Sequence, residues 1–139
     1  MIIRPIILND FAEYTKLVNS SISLNDYSSY LDTTLGRYHQ MYVLEVVGKV
    51  VGVGTLLCEK KMTYGGCVMG HIENIVVGED SRGKGYGKAI VEKLVSVAKS
   101  EGCYRIDLNC NTELEHFYNA NGFDRKHLCM NIYIKDNFK

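Results

Sequence analysis

The chain has 139 residues, the length of one domain whose core needs no disulfide or metal to hold it. Its 46% hydrophobic and 23% charged content is that of an ordinary globular protein, and Lys plus Arg equals Asp plus Glu at 16 each. This balance excludes a broad field for nucleic acid or anionic membrane, so a bound anion must be held locally, at a loop or a helix end.

Residues 2–8 are β-branched and apolar and read as a first strand. Asn9 or Asp10 caps a helix whose apolar positions Phe11, Tyr14, Leu17 and Val18 recur at helical spacing. Residues 20–38, rich in Ser, Tyr and Asp, read as a short second helix plus loops. His39–Val47 alternates as a strand, Gly48-Lys49 makes a hairpin turn, and Val50–Glu59 returns. A polar loop over Lys60–Gly66 leads to a strand over Val68–Val77, so these strands form an antiparallel meander. From Tyr86 to Glu101 the period changes: Ile90, Leu94 and Val97 line one helix face, and Gly102 ends it. Tyr104–Cys110 is a strand, Glu113–Asn121 a short helix closed by Gly122, and Phe123–Ile134 a last strand. The order predicts a single α/β domain over residues 1–139, with a mixed central sheet flanked by helices.

The cysteines at 58, 67, 103, 110 and 129 are odd in number and form no C-x-x-C pair, which predicts reduced thiols and no metal site. The N-terminal apolar run breaks at Arg4 and stops at Asn9-Asp10, too short for a signal peptide or membrane span; a cytoplasmic protein is expected.

The loop Arg82-Gly83-Lys84-Gly85-Tyr86-Gly87-Lys88 lies between a strand and a helix. Its glycines remove Cβ atoms and permit positive φ, and the helix start aims unpaired N–H groups at whatever sits above. With Arg82, Lys84 and Lys88 this makes a pyrophosphate site. A dinucleotide fingerprint fails because its last glycine is Lys88. A P-loop fails because Arg82 and Ala89 stand where it needs glycine and Ser/Thr. A merely flexible turn is the bland alternative.

The spacing of Arg82, Gly85 and Gly87 resembles the R/Q-x-x-G-x-G/A motif of the GNAT superfamily of acyl-CoA N-acyltransferases. Within it, Gly70-His71-Ile72-Glu73-Asn74-Ile75-Val76-Val77, Gly102-Cys103-Tyr104-Arg105-Ile106, Phe117-Tyr118 and Gly122-Phe123 resemble the glucosamine 6-phosphate N-acetyltransferases. The likeness covers about residues 52–130 and is weak over 1–50. It implies the GNAT fold and acetyl transfer from acetyl-CoA, with CoA as product, to a small amine, first of all glucosamine 6-phosphate on the route to UDP-N-acetylglucosamine. It also implies a homodimer that pairs through its C-terminal strands, for which the apolar run Met130–Ile134 is the hint in this chain.

Residue by residue, the resemblance assigns the acetyl carbonyl and pantetheine to Ile75, Val76 and Val77, and the pyrophosphate to Arg82, Gly83, Lys84, Gly85, Tyr86, Gly87 and Lys88. Lys61, Met62, Thr63, Tyr64, Glu73, Asn74, Tyr104 and Arg105 surround the acceptor, and Tyr118 meets the leaving thiolate. The chemistry needs such types. An amine attacks a thioester only when neutral, and a thiol of pKa about 8.5 leaves better when protonated or hydrogen-bonded. A backbone N–H aimed at the developing oxyanion helps further, and no covalent enzyme intermediate is required.

Two departures bear on the acceptor. The aspartate of the family's L-D-C strand end is Asn109 here (Leu108-Asn109-Cys110), which takes no proton at neutral pH; if base catalysis exists, Glu73 is the remaining carboxylate, acting directly or through a water. An arginine of the family's last strand falls by ungapped count on Tyr133, with Lys135 nearby. Blander readings stand beside each assignment. Tyr118 could be packing, although the F-Y-x-x-x-G-F spacing favours catalysis; Glu73 in an apolar strand reads as a buried, functional carboxylate. His71 reads as a polar strand residue before a base, Lys60-Lys61 as a hairpin tip or a phosphate contact, and His39, His116 and His127 as surface. A Cys110 nucleophile lacks a fixed histidine. Rival functions are acetylation of another small amine or a protein N-terminus, and a non-catalytic acyl-CoA-binding module.

Overall fold

Residues 1–138 are described by a computed structural model. They divide into two compact units, the first Met1–Leu108 and the second beginning at Asn109. The first contains β1 (Ile2–Pro5), α1 (Phe11–Leu17), α2 (Leu24–Thr33), β2 (His39–Val46), β3 (Lys49–Lys60), β4 (Val68–Val77), α3 (Tyr86–Ser100) and β5 (Cys103–Asp107). The sheet order is β1-β2-β3-β4-β5, with β4 and β5 parallel and the other neighbours antiparallel. Parallel neighbours require a crossover, and α3 supplies it. The mixed sheet expected from the sequence is therefore present.

The local chemistry differs from expectation at identifiable points. The hairpin turn is Val47-Gly48, not Gly48-Lys49: Val46 pairs with Lys49, and Val47 and Gly48 take φ of 50° and 76°. That is the pair of positive angles a two-residue hairpin turn demands. Asp10 does not cap α1 forward; its carboxylate turns back to accept the Ile7 N–H at 2.9 Å and the Arg4 guanidinium at 2.8 Å. The second helix is a full 10 residues, capped by the Ser23 hydroxyl on the Asp26 N–H at 3.1 Å.

Both sheet faces are covered. Ile90, Val91, Leu94 and Ala98 of α3 are buried, as are Leu44 and Leu56 of the sheet. The helix lies so close to β3 that a Cβ on Gly54 would stand 2.6 Å from Ile90 and 3.0 Å from Leu94. On the opposite face Ile6, Tyr27, Met41, Val43, Val50 and Val53 form a cluster with Phe11, Tyr14, Leu17 and Tyr30 packed against it. Tyr27 ties α2 down by donating its hydroxyl to the Ile7 carbonyl at 2.7 Å.

In the second unit α4 (Glu115–Ala120) holds Tyr118 at 9% exposure, with ring contacts to Phe117 at 4.9 Å and Phe123 at 6.0 Å. Gly122, at φ 92°, makes the reversal that brings Phe123 back, its N–H donating to the Tyr118 carbonyl at 3.0 Å. The last strand expected over Phe123–Ile134 is not formed. Leu128, Met130, Ile132 and Ile134 alternate there at 91%, 89%, 84% and 86% exposure. A strand needs an edge to pair with, and none among the described residues pairs with this one. Likewise β5 ends at Asp107 rather than Cys110, so Asn109 stands in an exposed loop beyond the strand.

Candidate active site

Strand β4 pairs with β3 as far as Val77 but with β5 only over Val68–His71. Past His71 the β5 side of β4 has no strand partner among the described residues, which opens a backbone edge along Ile75, Val76 and Val77. The β3 pairing slips at the same place. Val53 faces Val76 while Thr55 faces Glu73, so β4 spends one extra residue, and Asn74 sits at φ 53°. The bulge puts Glu73 and Val76 on one face, and directs Ile75 to the other, towards Gly54. An asparagine inside an apolar strand was the sequence signal for it, since Asn tolerates the left-handed region.

A single turn, Glu79–Ser81, joins this edge to the glycine loop. Gly83 and Gly85 take φ of 77° and 82°, and a Cβ at either would meet nothing within 4 Å. Conformation, not packing, is what requires glycine there. Gly85 is the N-cap of α3, so the amides of Tyr86, Gly87 and Lys88 form its first turn and have no helical carbonyl ahead of them. Arg82 anchors the loop by donating Nε to the Val77 carbonyl at 3.1 Å, and Lys84 and Lys88 are exposed beside it. Open space, free amides and positive charge fit a pyrophosphate.

On the sheet face away from α3 the structure gathers several residues expected around the acceptor. The rings of Tyr64 and Tyr104 lie 5.5 Å apart, and the Arg105 guanidinium stands 5.6 Å from the Tyr104 ring. Tyr104 and Arg105 both reach the Met69 sulfur, at 3.8 and 3.5 Å, and Arg105 pairs with Asp107 at 3.1 Å. Lys61 lies 3.7 Å from Glu59, which also receives His71 at 3.2 Å. His71 first, then Lys61, holds the Glu59 carboxyl below its usual range. Glu59 and Asp107 were not foreseen in the sequence; the alternation of His71 and Glu73 on one face was the available signal. Met62 is 99% exposed at the loop tip, and Thr63 accepts the Gly66 N–H at 3.1 Å.

Glu73 and Asn74 are exposed, so the expectation that Glu73 is a buried carboxylate does not hold. It shares the face of Met69 and His71 by regular alternation, and the bulge follows it. His39 departs in the opposite sense: it is half-buried rather than at the surface, with Nε2 2.6 Å from the Tyr30 hydroxyl. Burial lowers the His39 imidazole pKa, and Glu73 opposes that shift. Burial raises the Tyr30 phenol, with Tyr14 and Glu73 adding to it. Tyr118 in the second unit is likewise raised by burial, then by Cys110, and stays protonated at neutral pH.

The acetyltransferase (GNAT) family model matches residues 7–123. A rice protein named probable glucosamine 6-phosphate N-acetyltransferase 2 (Oryza sativa subsp. japonica) is 40% identical over 104 residues, 72% of this chain and 63% of that one. The glucosamine 6-phosphate N-acetyltransferase of Candida albicans is 31% identical over 120 residues, 83% of this chain and 80% of that one. The match thus spans less than two thirds of the rice relative's length. The crystal structure of glucosamine-6-phosphate N-acetyltransferase from Arabidopsis thaliana superposes with a TM-score of 0.91 at 30% identity, covering 96% of this chain and 98% of that one. By sequence and by fold, this chain belongs to the acetyltransferase (GNAT) family.

Proposed function

We propose that the protein transfers the acetyl group of acetyl-CoA to the amine of D-glucosamine 6-phosphate, as the names of its relatives suggest. One observation carries the reading: the open edge of β4 runs through a single turn into a glycine-opened helix start. Coenzyme A has the matching parts in the matching order. Its pantetheine amides add to a free strand edge as a peptide strand would, at Ile75, Val76 and Val77. Its pyrophosphate takes the amides from Gly83 to Lys88, with Arg82, Lys84 and Lys88 adding charge.

Lys61, Met62, Thr63, Tyr64, Asn74, Tyr104 and Arg105 hold the acceptor, Lys61 and Arg105 being the cations for its phosphate. Glu73 draws in the ammonium and accepts its proton directly or through a water. The freed amine attacks the thioester carbonyl carbon; the C–N bond forms, the C–S bond breaks, and the electron pair leaves on sulfur. An N–H of the β4 edge steadies the oxyanion. Tyr118, kept protonated by burial, donates its O–H to the departing thiolate, and the second N–H proton that the nitrogen sheds as the amide forms restores the phenol. Asn109 sits where the family has aspartate and contributes hydrogen bonds only. The whole chain acts as one catalytic domain of a cytoplasmic homodimer, and no metal enters the chemistry.

The test is a panel of amines with free thiol as readout. Thiol release with glucosamine 6-phosphate, well above that with glucosamine or a peptide N-terminus, supports the proposal. Release with the peptide alone assigns the chain to protein N-termini. Acetyl-CoA binding with no release from any amine makes it a binding module.

A further inference from the structure

The face of the sheet opposite α3 is apolar where α1 and α2 cover it and polar beside that cover. Register fixes which side chains share it. His39 on β2 faces Leu57 on β3, which faces His71 on β4; in the next row Met41 faces Thr55, which faces Glu73. Directly opposed residues of antiparallel strands point to one face, so His39 and Glu73 lie on the same side of the sheet, one row apart. Tyr30 reaches the same place from α2. Its hydroxyl is 2.6 Å from His39 Nε2, and the two rings meet edge-on with centroids 5.4 Å apart.

We propose that Tyr30 and His39 form a proton relay for the acceptor amine, Tyr30 touching the amine as a catalytic residue and His39 acting through it. This rests on the acetyltransferase reading above and changes its base: the proton passes to His39 instead of Glu73, and Glu73 stays the anion that draws in the ammonium and steadies the charge. Neutral His39 accepts the Tyr30 O–H at Nε2, which leaves the lone pairs of the phenol oxygen free to accept from an ammonium. An ammonium N–H bond breaks towards Tyr30 Oη while the Tyr30 O–H bond breaks towards His39 Nε2. The products are a neutral amine with its lone pair, an intact phenol and an imidazolium. Charge is conserved, moving from the ammonium to His39, where the Glu73 carboxylate steadies it.

The electrostatics agree with the placement. Burial holds His39 below the ordinary imidazole value, so it is neutral and able to accept at physiological pH, and Glu73 is the charge that works on both members of the pair. The groups that act on the pair are Tyr14 on α1 and Glu73 on β4, with His71 in the same row of the sheet as His39; Asp32, Arg37 and Glu101 line, with His39, an open cavity of about 710 Å³. Arg37 and Glu101 neutralise each other at 2.7 Å.

Tyr30→Phe and His39→Gln in the full chain test it. Phenylalanine keeps the ring; glutamine keeps an acceptor for the phenol but takes no proton. Each variant should lose about 10²-fold in kcat near pH 7. The loss should shrink above about pH 9, where the amine arrives neutral, while KM for acetyl-CoA stays within about twofold. The double variant should lose no more than either single one, because the two act as a unit. Wild-type thermal midpoints in both variants make the loss chemical. A His39→Gln protein as active as wild type, or a Tyr30→Phe loss equal at every pH, overturns the relay in an enzyme whose acetyl transfer stands. A wild type that acetylates no amine overturns the acetyltransferase reading and the relay with it.

Discussion

Asp10 shows how much one carboxylate can hold together. It is 3% exposed, and burial alone would raise its pKa; the Arg4 guanidinium and the Ile7 N–H overcome that and leave the pKa lowered. A depressed folded pKa contributes stability above the unfolded value, and that stability is lost as pH falls through the native one. Asp10→Asn should therefore cost roughly 1–3 kcal/mol at pH 7, with the gap to wild type closing below about pH 4. Urea titrations across that range check both statements. Glu73 is the second residue to test. Glu73→Gln should lower the acetylation rate most at low pH, where the amine arrives protonated, and least at high pH. Asn109→Asp should partly rescue it if a carboxylate is what the site lacks. A pH–rate profile parallel to wild type would leave Glu73 a shape-giving residue only. These residue roles were partly legible. Glu73 stood out as a charge in an apolar strand, but whether its stretch of the sheet face is covered depends on elements distant in sequence, and His39 looked like surface because its partner Tyr30 lies on another element.

At the scale of elements, the glycines divide by what they do. Gly52 and Gly54 let α3 approach β3; Cβ atoms there would fall 2.8 and 2.6 Å from Ile90. Gly83 and Gly85 face open space and are needed for backbone conformation. Substitutions should separate accordingly. Gly54→Ala should destabilise the protein by about 1–3 kcal/mol through overpacking. Gly85→Asp should leave the fold standing while severely weakening acetyl-CoA binding, by bulk and by like charge against the pyrophosphate. Calorimetry with acetyl-CoA and thermal melts on both variants should give opposite patterns; unchanged affinity in a folded Gly85→Asp would remove the pyrophosphate assignment. The sequence revealed α3 and the strand meander because their periods are long and unbroken. It misplaced the hairpin turn by one residue because Val47, β-branched and 97% exposed, is a poor advertisement for positive φ.

At the scale of the molecule, the last strand is the main disagreement. Phe123–Ile134 alternates like a strand, but pairing is decided by a partner edge that the alternation does not specify. Its exposed row of Leu128, Met130, Ile132 and Ile134 is what a second copy would cover in the proposed homodimer. Light scattering should give twice the 15.7 kDa chain mass at micromolar concentration, and Met130→Lys with Ile132→Lys should return the monomer. A wild-type monomer would remove the dimer. Acetyl transfer to an amino-sugar phosphate is tested most directly by thiol release from acetyl-CoA with glucosamine 6-phosphate. Release should be saturable and acceptor-dependent, with one N-acetylated sugar phosphate formed per thiol. Saturable binding of acetyl-CoA with no thiol above background would contradict it.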